Sequence, residues 1–291
     1  MSLGANQITK TSHNGFAPVL WSKETIRAFE ANLILGNKVN RSRDAEVAQF
    51  GQSIKMNSIS NLQAFDKANN TQVALQDPTE SQVTLLINKH KYTAFLVEDI
   101  IKAQSNVNLM SEYTEKAGYA EKQALDSDIA ALATTFSQFA GAYNTALTED
   151  AMLDAVETLD VADVPSNDRV FVLRPEAVRD LRDIDDYTRY DGTGYAGGFA
   201  MGAVGDGKGI RPNGLVGMLY NSEVYMTTQI QKAGNNISNM YFHRDAIAAA
   251  VQLAPRVQSE YKLEYLGFLT VTDMIYGVIE LRDNAGLELR S

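Results

Sequence analysis

The sequence predicts an α+β protein, and three stretches carry that reading. From Asn106 to Gly141 apolar residues recur at spacings of three and four, with no proline between them. Two strand-like runs, Gly51–Leu62 and Ser81–Val97, flank a polar tip. From Val257 to Leu281 the chain alternates as a half-buried strand does.

The first stretch is an amphipathic helix by its period. Met110, Tyr113, Ala117, Ala120 and Ala124 follow one another, and Leu125, Ile129, Leu132, Phe136 and Phe139 continue the row. Gly118 is its interior glycine, and Glu112, Glu115, Lys116, Glu121 and Lys122 take the wetter side. At ~1.5 Å per residue it would run roughly 50 Å, longer than most helices of globular proteins. It reads either as a long core helix or as a spine on which a flat subunit hangs.

In chain order, residues 1 to about 20 are polar, with turn formers at Asn14-Gly15 and Pro18, and read as an extended arm. A helix follows from Ser22, a suitable N-cap, to Gly36, placed as a C-cap, with Ile26, Phe29, Leu33 and Ile34 on its apolar face. The paired runs come next. In the first, Ile54 and Met56 alternate with polar neighbours; in the second, Val83, Leu85 and Ile87 share one face. Strands of that length would make an arm about 40 Å long at ~3.3 Å per residue, too polar and thin to be stable alone. Such an arm implies a partner surface.

Behind the long helix, Thr148–Leu159 is a shorter one carrying Met152, Val156 and Leu159. Arg169–Leu173 is a buried strand, and Pro175 opens a helix that turns Ala177, Val178 and Leu181 inward. A glycine-rich loop leads to strands at Gly217–Tyr220 and Val224–Met226. Arg244–Ala254 reads as a small-residue helix, and the tail is antiparallel sheet with a turn at Asn284-Ala285-Gly286.

Composition narrows the function. The longest apolar run, Ala246–Ala254, is nine residues and holds Gln252, so no membrane span is expected. The start, MSLGANQITKTSHNG, has no secretory core, which leads us to expect a soluble protein made in a cytoplasm. There are no cysteines, hence no disulfide, thiolate site or cysteine nucleophile. A formal net charge of −10 is poorly suited to gripping nucleic acid, which needs clustered Lys and Arg.

Chemical motifs are weak. Gly192-Thr193-Gly194-Tyr195-Ala196-Gly197 spells a dinucleotide fingerprint, but a polar segment precedes it and more glycine follows. Gly202–Lys208 begins like a phosphate loop, yet Gly209 stands where Ser or Thr is needed, and Pro212 blocks the helix that should follow. His13, His90 and His243 lie far apart, and Asp183, Asp185 and Asp186 have no calcium loop around them. No Gly-x-Ser-x-Gly elbow is present. No catalytic, cofactor-binding or metal-binding residue is nominated, and the protein is not expected to be an enzyme.

The order of parts resembles the major capsid proteins of tailed bacteriophages, the Hong Kong ninety-seven fold. FAPVLWSKETIRAFEANLILGNKVNR looks like the N-terminal arm and its helix. GQSIKMNSI and QDPTESQVTLLINKHKYTAFLVEDIIKAQS look like an extended loop running into the spine. DVPSNDRVFVLRPEAVRDL is similar to the entry of the axial domain, and HRDAIAAAVQLAPRVQSEYKLEYLG with MIYGVIELRD to its exit into the peripheral sheet. The division implied is 1–49 for arm and helix, 50–92 for the extended hairpin loop, and 93–160 for a peripheral domain with spine helix 106–141. Residues 161–245 would be the axial domain, and 246–291 a return helix and peripheral-domain strands.

The resemblance implies a structural coat protein that self-assembles through pentamers and hexamers into an icosahedral shell around double-stranded DNA, without sequence-specific binding. It implies a portal protein as a partner. The chain shows no long N-terminal scaffolding segment, so a separate scaffolding protein is implied as well. The place of action would be the virion, after synthesis in the bacterial host. Some relatives cross-link a hairpin lysine to a neighbour's asparagine; Lys67 lies at the tip, but no asparagine partner can be named. Two other readings stand beside this one: a nanocompartment shell packaging cargo enzymes, and a nucleotide-dependent enzyme using the loop 192–209.

Overall fold

The computed structural model describes residues 34–47, 51–59, 62–67, 69–73, 75–77, 80–99, 109–184 and 215–291. The arm, most of the helix expected from Ser22, residues 106–108 of the expected spine and the loop carrying both glycine motifs lie outside these residues, as do His13, Asp185 and Asp186.

The described residues begin with two short helical turns, α1 (Leu35–Lys38) and α2 (Asp44–Val47). Strands β1 (Ser53–Ile59) and β2 (Glu80–Leu86) form a two-stranded hairpin, and β3 (Lys89–Glu98) follows. Next come the long helix α3 (Leu109–Ala130), a 3-10 turn Ala131–Thr135, β4 (Phe139–Gly141) and helix α4 (Glu149–Val161). Strand β5 (Arg169–Leu173) leads into helix α5 (Pro175–Asp183). Strands β6 (Leu215–Leu219), β7 (Ser222–Met226), β8 (Lys232–Ala233) and β9 (Asn236–His243) follow. The long strands β10 (Ile247–Lys262) and β11 (Gly267–Glu280), with β12 (Gly286–Arg290), complete the described chain.

Two sheets result. The larger runs β4-β12-β9-β5-β7-β6, with β8 paired to β9. It draws β4 and β12 from outside residues 161–245. The smaller runs β10-β11-β3, antiparallel throughout.

The larger sheet is buried on both faces. On one face Phe171, Leu173, Tyr241, Leu287 and Leu289 meet the inner sides of α4 and α5. On the other, Val170, Val172, Met240 and Phe242 meet Leu35, Leu125, Ile129 and Phe136. A strand serving two cores should read as an unbroken apolar run, and VFVL in β5 does so. Phe171 and Tyr241 stack at 3.8 Å between ring centroids, and the Tyr241 hydroxyl lies 3.1 Å from Ser222 Oγ. Arg169 is buried at 5% exposure and ties down the loop before β5. It donates to Pro165 O at 2.9 Å, to Asp160 Oδ1 at 2.6 Å and to Val164 O. Thr148 Oγ1 accepts from the Ala151 amide at 3.3 Å and so caps α4, and Pro175 opens α5.

Five expectations need correction. First, the helix expected over Arg244–Ala254 is a 3-10 turn, Arg244–Ala246, followed by β10. Alanine favours helix only weakly, and a short segment gains more from an open partner strand. Ala248, Ala249 and Ala250 pair with Ile279, Val278 and Gly277, and all three are buried. Their small size lets other chain segments come close: Ala249 N donates to Asn40 O at 3.0 Å. Second, α3 stops at Ala130 instead of reaching Gly141. The Thr134 and Thr135 hydroxyls donate back to Ala131 O (3.3 Å) and Leu132 O (2.8 Å), a pattern that competes with the helical ladder.

Third, the run Ser81–Val97 breaks at Ile87-Asn88. Its first half pairs with β1 and its second half with β11. The paired arm is therefore about 20 Å long, at ~3.3 Å per residue. Fourth, Glu121, expected on the wet side of the helix, is buried. Fifth, Gly36 lies inside α1 instead of closing a longer helix.

The base of the hairpin sits on the smaller sheet through a third core of Leu85, Ile87 and Ala250, with Ile54, Met56, Ile275 and Ile279 packed against it. Gly277 permits this approach, since a methyl there would stand 2.2 Å from the Leu86 carbonyl oxygen. Gly277→Ala is expected to push the hairpin base off the sheet and to lower stability by about 2 kcal/mol. Denaturant unfolding of the two proteins would measure it.

Candidate assembly surfaces

Beyond its base the hairpin borders a cavity it shares with Asn40, Ser42, Arg43 and Asp245, and its tip is exposed. Seven register pairs run from Ser53↔Leu86 to Ile59↔Glu80. Its sides are polar: Gln82 Nε2 donates to Asn57 Oδ1 at 2.9 Å across the strands. Past the pairing, Gln63 N donates to Gln76 Oε1 at 2.8 Å, and the Gln76 amide donates back to Gln63 O. Around this polar staple Leu62, Phe65, Val73 and Leu75 all face solvent, Leu75 at 96% exposure. An apolar side chain so exposed has lost the ~2 kcal/mol or so that burial would contribute. Lys67 is exposed on the same tip.

A second exposed patch lies at the far end of the smaller sheet. Leu263, Tyr265 and Leu266 project from the β10–β11 turn, and Leu266 takes a φ of +45°. Leu96 and Leu269 border the groove beside that turn. The alternation read through Tyr265 in the sequence placed this segment in a strand; the strand ends at Lys262. Three large apolar residues in one turn, against the polar composition of most turns, were the available signal. A third patch is the outer side of α4, where Leu153 and Val161 stand among Asp150, Asp154 and Glu157.

The sheet and spine between these patches carry two ionic clusters. On the outer face Asp273 accepts from Arg256 Nε at 2.7 Å and from its second nitrogen at 3.0 Å, with His90 Nε2 at 3.2 Å. The Arg256 guanidinium holds the Asp273 carboxyl below its ordinary value. On the spine face the Tyr276 hydroxyl donates to Asp128 at 2.5 Å, and Lys89 lies 3.2 Å from the same carboxylate. Burial, then the Asp128 carboxylate, push the Tyr276 phenol up. Asp126 is buried and accepts from the Gly36 amide at 3.4 Å, so the spine caps α1. Burial raises Asp126 to about 6.

The two described histidines, His90 and His243, do not converge. His90 is an outer-face partner of Asp273, and buried His243 accepts from the Asp245 amide at 3.2 Å through Nδ1. Asp183 ends α5. Among the described residues no group of three or more His, Asp or Glu is placed to hold a metal, and no helix is long and apolar enough to cross a membrane.

No family model matches the chain, and no curated protein matches it. Solved structures do. A structure of Mycobacterium phage Che8 aligns with a TM-score of 0.73 at 22% identity, covering 89% of this chain and 91% of that one. The capsid of the cyanophage P-SCSP1u aligns at 0.68 and 16% identity, covering 89% and 88%. A virus-like particle from Pyrococcus furiosus aligns at 0.59 and 10% identity, covering 94% and 99%. The chain therefore has the major capsid protein fold of tailed phages.

The exposed tip and the buried base should respond differently to substitution. Phe65→Ser and Leu75→Ser are expected to change unfolding free energy by no more than about 0.5 kcal/mol, whereas Leu85→Ala should cost about 2–3 kcal/mol. Denaturant melts of the three variants check this.

Proposed function

We propose that the chain is a shell subunit whose activity is assembly. The observation that carries this reading is the hairpin, which has a buried base and an apolar tip that its own chain leaves uncovered. The likeness in fold, over nearly nine-tenths of the chain, to a phage capsid supports it. Copies would join head to tail into rings of five and six, the class of contact that closes when the rotation permits. The segment 161–245 would sit near each ring's centre, with the glycine-rich loop at its tip. The outer part of the β1–β2 hairpin with its tip would lie across the adjacent subunit, and the N-terminal arm would reach a further one.

A net charge of −10 suits a wall that confines DNA without adhering to it. A scaffolding protein to set curvature and a portal protein at one vertex would complete the particle, which locates the chain in the virion. The likeness to the Pyrococcus furiosus particle keeps one other reading, a shell around cargo enzymes instead of a genome. Particles free of nucleic acid, by the ratio of absorbance at the nucleic-acid and protein bands, would favour that reading.

Negative-stain microscopy of the purified protein is expected to show closed polyhedral particles or rings; a persistent monomer would overturn the proposal. Removing residues 64–79 should abolish assembly while leaving a folded subunit. Normal particles from that variant would remove the hairpin from the mechanism.

A further inference from the structure

Helix α3 is pinned to the smaller sheet at two places. The Tyr113 ring meets the Phe95 ring at 5.4 Å, and the Tyr276 hydroxyl bonds Asp128. Phe95 lies on β3 and is the cross-strand partner of Thr270, and Tyr276 lies on β11, so the pins mark the two ends of one stretch of the β3–β11 pair, from the level of Thr270 to that of Tyr276. The helix between them spans about 22 Å and the strand about 20 Å, at ~1.5 and ~3.4 Å per residue. The helix thus runs along the strand, and Glu121, midway between the pins, stands over the stretch from Thr272 to Met274.

That midpoint is chemically incomplete. Glu121 is 2% exposed, and neither of its carboxyl oxygens has a hydrogen-bond partner among the described residues. The hydroxyls of Thr270 and Thr272, both fully buried, lack partners too. Among the described residues no cation reaches the site. On the same helix, Lys122 lies over the Tyr119 ring at 5.2 Å, and Glu115 and Lys116 are exposed. Asp126 is turned to the backbone of α1. On β3, Lys89 and Lys91 are drawn to Asp128, at 3.2 and 3.7 Å. On β11 the near charge is Asp273, another carboxylate, with Arg256 and His90 occupied on it. The β10 residues opposite, Val257 and Ser259, do not titrate.

A carboxylate in that setting is a buried charge without compensation, whereas a neutral carboxyl is a donor able to use a threonine oxygen. Burial, helped by the Asp273 charge, raises Glu121 from 4.5 to about 8. We propose that Glu121 makes the contact between α3 and the β3–β11 sheet a proton-held joint: the neutral carboxyl seats the helix, and losing the proton releases its middle from the sheet. Because the seated form holds the proton more tightly than the released form, the seated form is favoured in acid and loses ground as pH rises. The joint stands on the geometry alone. That it would gate assembly, by changing the spine a subunit offers its neighbours, rests on the shell reading above.

The test is amide hydrogen exchange on the full chain between pH 5 and 9.5, with intrinsic exchange rates divided out. In the wild type, opening of the amides of 113–125 should grow up to tenfold per pH unit between about 4.5 and 8 and level off above that. E121Q, of nearly equal volume and unable to ionise, should flatten the profile; E121L, which needs no partner, should do the same and serves where E121Q does not fold. A flat wild-type profile overturns the proposal. So does a slope that survives in both variants, which would belong to Asp126. The amide readout is local and is taken whether or not particles form, so its failure is distinct from failure of the shell reading.

Discussion

One sheet with two cores governs this structure. Strands β5 and β9 have no wet side: alternate residues of each go to α4 and α5 on one face and to the spine's end on the other. Each large side chain fully buried there contributes about 2–3 kcal/mol. Because both faces are occupied, the helices above and below are fixed relative to each other through the strands between them. The spine, the capped α1 and the Arg169 loop are all positioned by that stack.

The smaller sheet is organised differently. Its inner face is covered by α3, and among the described residues its outer face is covered where the hairpin base lies. The rest of that face, the hairpin tip and the β10–β11 turn keep large apolar residues in water. The division is between a part satisfied within the chain and a part that is not. A subunit built for contact with its own copies needs both: a rigid block to hold the geometry and uncovered edges to spend on neighbours.

Legibility in the sequence follows the same division. Segments whose pattern is set by their own core could be read: β5 to the residue from its unbroken apolar run, α5 from Pro175 and its inward row, and α4 from Met152, Val156 and Leu159, though the helix runs on two residues further, to Val161. Where a residue's state depends on a distant strand, local reading failed. The alanines of β10 look helical until Gly277 and Val278 are placed beside them. Glu121 looks solvated because a lone charge on a helix nearly always is, and nothing local announces β11 above it. The candidate surfaces were half legible. The polar hairpin implied a partner, but the apolar turn at Leu263–Leu266 was hidden inside an alternation that ran past the strand's true end.

The position of β12 carries a consequence for timing. This strand, Gly286–Arg290, is wedged between β4 and β9, with Glu288 aligned to both Phe139 and Met240. Until residue 290 has left the ribosome, β4 and β9 have an open seam where the wedge belongs, and Leu287 and Leu289 are missing from the core beneath α4. The rigid block therefore cannot close before β12 has been made. A nascent chain that stops short of it holds the helices over an unfinished sheet.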